Sequence, residues 1–134
     1  MRVMLDTNTC IFAINNKANV RTRFIADYPS GICISTITEA ELWYGIENSA
    51  TPERNAEILR SFLATVEIIP FDTLAAAEYG RVRVKLKHAG TPIGDRDTLI
   101  ASHAKSLGLI LVTNNTKEFK WVEGLTLEDW TIPL

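Results

Sequence analysis

Apolar residues in this chain fall into short unbroken runs set between longer stretches of helical periodicity. Val3-Met4-Leu5, Ile32-Cys33-Ile34, Val66-Glu67-Ile68-Ile69 and Leu109-Ile110-Leu111-Val112 are largely apolar throughout and do not alternate. Strands buried on both faces of a parallel sheet read this way. Between them the pattern predicts helices over 7–14, 20–27, 36–47 and 52–65, the last opening on Thr51-Pro52-Glu53, with a Thr cap and Pro at the first position. Asp72 is expected to cap a long helix reaching Gly90. A Pro/Gly turn at 91–94 leads into a helix to Leu107, with Gly108 as its left-handed cap. A last short strand is expected near Leu125-Thr126-Leu127. Strands and helices alternate, so the expected fold class is α/β: one three-layer domain over residues 1–134 around a central, mostly parallel sheet. Such sheets bind ligands beyond the carboxyl ends of their strands.

Composition narrows the class without choosing a function. At 46% hydrophobic and 22% charged residues, the 134-residue chain is no disordered tail, collagen-like rod or metal-stapled mini-domain. Fourteen Lys+Arg against sixteen Asp+Glu give a net charge of −2, which at first weighs against a nucleic-acid partner. Cys10 and Cys33 form no Cys-x-x-Cys and lie in apolar runs, so they read as reduced core residues of a cytoplasmic protein. No signal-peptide core opens the chain, and no stretch nears the roughly 20 apolar residues of a membrane span.

Several polar residues then stand out by position. Asp6 closes the first strand, followed by Thr7, Asn8 and Thr9. It is suited to capping the next helix, and it also sits where this fold places chemistry. In the helix from Thr36, the spacing Thr36-x-x-Glu39 fits a capping box and gives Glu39 a structural task. Glu41 has none, and it falls on the stripe Ile37, Ala40, Glu41, Tyr44. Asp95 stands at a cap position, and Asp97 begins the stripe Asp97, Ile100, Ala101, Ala104, which should face the sheet. Thr113-Asn114-Asn115, then Glu118, follow the fourth strand. Three carboxylates and an amide thus converge on one sheet edge. Clustered carboxylates repel one another unless a cation lies among them, and oxygen-only ligands suit Mg²⁺ or Mn²⁺ rather than zinc. That chemistry points to metal-assisted phosphoryl hydrolysis. No nucleophilic triad, P-loop or Gly-rich dinucleotide motif is present, and His88 and His103 lack helix-spaced partners.

The same residues carry a family resemblance over essentially the whole chain. The segments 4–12, 37–45, 90–101, 111–119 and Glu128-Asp129-Trp130 resemble PIN-domain ribonucleases, specifically the VapC toxins of bacterial toxin–antitoxin pairs. The resemblance implies an endoribonuclease that cleaves RNA by a metal-activated water. It implies metal ligands at Asp6, Glu41 and Asp97, with Thr7, Asn8, Asp95, Thr113 and Glu118 in supporting positions. Many relatives place a fourth acid where this chain has Asn115, which leaves open whether one cation or two are held. The Asn114-Asn115 form resembles the subgroup that cleaves initiator tRNA in the anticodon region, so tRNA is the expected substrate. A homodimer and neutralisation by a VapB-type antitoxin are implied as well.

An RNA partner asks for local positive charge, and Arg81, Lys85 and His88 share one face of the helix predicted after Asp72. They are the candidate RNA-binding strip, against the plainer reading of a solvated face. Three other readings compete. A receiver-like signalling module would need an acid pair after strand one and an Asp after strand three, where Ile69-Pro70-Phe71 stands. A haloacid-dehalogenase-type phosphatase would need an acid at the position of Asn8. The third is a catalytically impaired PIN domain that acts through binding.

Overall fold

The computed structural model describes residues 1–133. Its strands are β1 (Val3–Leu5), β2 (Ile32–Ser35), β3 (Glu67–Ile69), β4 (Ile110–Val112) and β5 (Leu127–Glu128). The helices are α1 (Thr7–Ile14), α2 (Ala18–Asp27), α3 (Thr36–Glu47), α4 (Pro52–Leu63), α5 (Thr73–His88), α6 (Asp95–Ser106) and α7 (Thr116–Phe119). The five strands form one sheet in the order β3-β2-β1-β4-β5, and every pairing is parallel.

Alternation along the central strands sorts side chains to two cores. Val3, Leu5, Ile32, Ile34 and Val112 point into a cluster closed by Val20, Leu42, Leu59 and Trp130. Met4, Cys33 and Leu111 point the other way, onto Val82, Leu86, Ile100, Ala101, Ala104 and Phe119. Helices α1, α2 and α4 therefore cover one face and α5, α6 and α7 the other. Helix α3 follows β2 without a loop and belongs to both layers, since Ile37 packs on the second cluster and Leu42 on the first.

Most expected elements are present, with local corrections. The cap of α3 is Ser35, whose Oγ accepts from Ile37 N at 3.0 Å, and Thr36 instead accepts from Phe71 N at 3.1 Å. The expected Thr36–Glu39 capping box does not form: Glu39 Oε2 accepts from Trp43 Nε1 at 3.2 Å. Thr51 makes no side-chain cap bond, and α4 ends at Leu63, where Thr65 Oγ1 turns back to Phe62 O. Gly94, not Asp95, occupies the cap position of α6. Helix α2 starts at Ala18, two residues earlier than the pattern suggests, and β5 lies at Leu127–Glu128. The expected cap at Asp72 is present, its Oδ1 accepting from Ala75 N at 3.0 Å, and Gly108 has φ +67°.

Candidate active site at the carboxyl edge of the sheet

The chain runs from β1 outward to β2 and β3, then returns to β4 on the other side of β1. The crevice of a parallel sheet opens where the strand order reverses, here beyond the ends of β1 and β4. Asp6 and Thr113 are the residues that leave those two strands. Asp6 N donates to Val112 O at 3.0 Å and so extends the ladder one residue past β1.

Asp6 performs both tasks that its position allows. Its Oδ1 accepts from Thr9 N at 2.8 Å and caps α1, yet the residue is buried at the crevice floor. Burial pushes its carboxyl pKa up, against hydrogen bonds from Thr113 and Thr9 that favour the charged form. Thr9 Oγ1 donates to Val112 O at 3.1 Å and locks the start of α1 to β4.

Glu41 reaches the crevice from α3. Thr7 Oγ1 donates to its Oε1 at 2.6 Å, and Arg96 Nε donates to its Oε2 at 2.9 Å. Asp97 comes from the first turn of α6, with Ile100, Ala101 and Ala104 buried along the expected stripe behind it. Its carboxyl is pushed up to about 6, first by burial and then by the charges of Asp6, Glu41 and Glu118, while Arg96 partly offsets them. Asp97 thus feels three acids that are distant from it in sequence.

Among the described residues, no three acid, His or Cys side chains close into a ready metal cage. The two oxygens of Glu41 are drawn to Thr7 and Arg96. The donor set itself is hard oxygen and suits a small divalent cation. Burial first and then repulsion raise Asp97, and the repulsion is relieved when such a cation neutralises it.

The supporting residues divide. Thr113 is buried, and its Oγ1 accepts from Asn115 N at 3.0 Å, so Asn115 stands half-buried beside the crevice. Asn8 is exposed. Asp95 is exposed and lines a small cavity with Glu41, Arg96 and Asp97. The stripe through Glu41 meets the core at Ile37 and then leaves it: Tyr44 is 71% exposed, and the stripe borders an open groove. Of the basic strip, Arg81 pairs with Glu78 at 2.7 Å and Lys85 with Glu123 at 4.0 Å, while His88 is exposed. The cations of α5 that share a cavity with Asp95 are instead Arg83 and Lys87.

Sequence reasoning missed Arg96. A cation flanked by Asp95 and Asp97 reads as a solvated first turn, and its contact with Glu41 spans 55 residues. It also missed the bond from His103 Nδ1 to Ser35 Oγ at 2.8 Å, which joins the start of α3 to α6.

With this geometry in view, the comparisons are specific. The PIN domain family matches residues 3–125. The chain is 47% identical over 131 residues to the tRNA(fMet)-specific endonuclease VapC of Salmonella typhimurium, covering 97% of this chain and 98% of that one. It is 47% identical over 132 residues to the enzyme of the same name from Shigella flexneri, with 98% and 99% covered. The crystal structure of DNA-bound VapBC from Salmonella typhimurium superposes with a TM-score of 0.92 at 47% identity, covering 97% and 98% of the two chains.

Proposed function

The chain belongs to the PIN domain family, among its VapC nucleases, and on that premise we propose that it is the toxin of a VapBC pair, an endoribonuclease that cleaves tRNA. The observation that carries this reading is the convergence of Asp6, Glu41 and Asp97 at the strand-order reversal, each held by a different element. Identity to tRNA(fMet)-specific enzymes over nearly the full length supports initiator tRNA as the substrate. Likeness to chains solved in VapBC complexes supports a VapB-type antitoxin as partner; inhibition by that antitoxin, a homodimer and a single domain across the chain belong to the same proposal.

Asp6, Glu41 and Asp97 would hold Mg²⁺ or Mn²⁺, and a cation bound there supplies water activation and neutralises charge on the scissile phosphate. The protein's share of the work is orientation. The α1 cap fixes Asp6 through Thr9 N, and Thr7 Oγ1 aims Glu41. Thr113 holds the backbone of Asn115, which presents an amide where many relatives have an acid, and Glu118 adds negative charge nearby. The test is incubation of a tRNA pool with Mg²⁺ or Mn²⁺ and the wild type, Asp6→Asn or Asp97→Asn. Discrete metal-dependent fragments from the wild type alone are expected. Asn caps a helix as well as Asp does, so Asp6→Asn should fold, and circular dichroism checks this. Cleavage that survives in both variants would remove these acids from the reaction.

A further inference from the structure

We propose that the open groove beside Glu41 is a subsite for an unpaired nucleobase and its flanking phosphate, with Tyr44 as stacking platform and Arg96 as phosphate clamp. The inference rests on the ribonuclease reading above and names how the RNA strand is gripped next to the acids.

The groove has a volume of about 690 Å³, and Ile37, Ala40 and Leu99 give it an apolar lining. Pockets of roughly 300–1,000 Å³ take ligands of nucleotide size. Tyr44 forms one wall and is 71% exposed, although its neighbours Leu42 and Trp43 on α3 are packed into the first core. Among the described residues its ring has no aromatic or cationic partner and its hydroxyl no hydrogen bond. A free aromatic face beside an apolar lining is suited to base stacking, which every base can make.

Arg96 lines the same groove. It spends only Nε, on Glu41, and among the described residues neither of its two Nη amines has a protein acceptor. Its side chain is 71% exposed, and ion pairs that open contribute little to stability. A guanidinium with its outer amines free is the fork that binds phosphate in two-point fashion. The position is continuous with the chemistry, because Glu41 and Arg96 also line the adjoining cavity with Asp95 and Asp97. Among the residues that line the groove, Arg96 is the cation that can meet a polyanion. The aromatic face and the cationic fork together fit a nucleotide, its base on Tyr44 and its phosphate on Arg96.

The test uses an anticodon-type RNA stem-loop carrying a fluorescent purine analogue at one loop position at a time. Binding is measured in an Asp6→Asn background with Mg²⁺, so that the strand stays whole. Tyr44→Ala is expected to weaken binding roughly 5- to 100-fold and to abolish the stacking quench at one loop position. Tyr44→Phe should retain both. Arg96→Gln should lower the slope of log affinity against log salt by about 0.7, one phosphate contact on a single strand. In the wild-type background Tyr44→Ala should raise KM with kcat little changed. Unchanged affinity and quench in Tyr44→Ala, with RNA still cleaved by the wild type, would overturn the subsite alone. A wild type that neither binds nor cleaves RNA would overturn the ribonuclease reading and the subsite with it.

Discussion

Asp97 bears its charge at a cost to the fold. Burial and the charges of Asp6, Glu41 and Glu118 lift its carboxyl from an ordinary 3.8 to about 6 in the folded state. A carboxyl raised in this way binds its proton more tightly when folded. Its contribution to stability is therefore most favourable at low pH, declines as pH rises from about 4 to about 6, and stays unfavourable above that. His103 pulls the other way: burial lowers its pKa, so the fold loses stability as pH falls through the ordinary imidazole range near 6.5. The Asp97 share is isolated by difference. In metal-free protein, Asp97→Asn should melt higher than the wild type at about pH 8, and the gap should close at about pH 4. Added Mg²⁺ or Mn²⁺ should raise the wild-type melting temperature and leave the variant nearly unmoved, because the ligand stabilises only the form that binds it. Calorimetry with and without chelator reads both effects. A variant that gains from the cation as the wild type does would take Asp97 out of the metal's reach.

Between elements, the bond from His103 to Ser35 matters most, because it spans the two helices that carry Glu41 and Asp97. Ser35 Oγ accepts from Ile37 N to cap α3 and also meets His103 Nδ1 at 2.8 Å on α6. The other ring nitrogen of His103 has no partner among the described residues. Ser35→Ala therefore removes a cap and strips a buried imidazole of its remaining bond, for a loss of about 2–4 kcal/mol. Urea denaturation should show the lowered midpoint, and tRNA cleavage should fall further than stability accounts for, since the α3–α6 spacing relaxes. Ser35→Thr, which keeps the hydroxyl, should recover most of both. These joints mark the limit of what the sequence discloses. Apolar runs and caps such as Asp72 made the strands and most helices legible, because those signals are local. The cap of α3 was misplaced by one residue because Ser35 and Thr36 are both good cap formers, and only packing against α6 and Phe71 N tells them apart. Asp6, Glu41 and Asp97 were legible as acids at strand ends or on apolar stripes. Arg96 was not, because its partner lies 55 residues away on another element.

At the scale of the whole molecule, the net charge of −2 conceals how the acids are spent. Some gather at the crevice, and others hold the edge strand to the rest of the fold. Arg2, just before β1, donates to both oxygens of Glu128 on β5, at 2.7 and 3.0 Å, and also to Asp27 at the end of α2. Trp130 Nε1 donates to Glu128 at 3.0 Å from within the first core, and Arg23 stands 3.6 Å from the same carboxylate. One guanidinium thus ties the central strand, the edge strand and the first helical layer. Hydrogen bonding from Arg2 holds Glu128 below the usual carboxylate range. The stability that it contributes is present above the ordinary glutamate value of 4.5 and is lost as pH falls below it. Arg2→Met keeps the length of the side chain but leaves Glu128 and Asp27 short of donors. With Arg2 partly exposed and screened by solvent, the expected cost at neutral pH is about 1–2 kcal/mol. The urea midpoint should drop with an unchanged slope, and the difference from wild type should shrink at about pH 3 and in about 1 M salt. The main chain of Glu128 accepts from Thr113 N at 2.9 Å and so borders the crevice, but the side chains of the network touch none of Asp6, Glu41 and Asp97, so the specific activity of the folded fraction should equal that of the wild type. A loss of activity without a loss of stability would mean that the edge strand positions the site as well as closing the sheet.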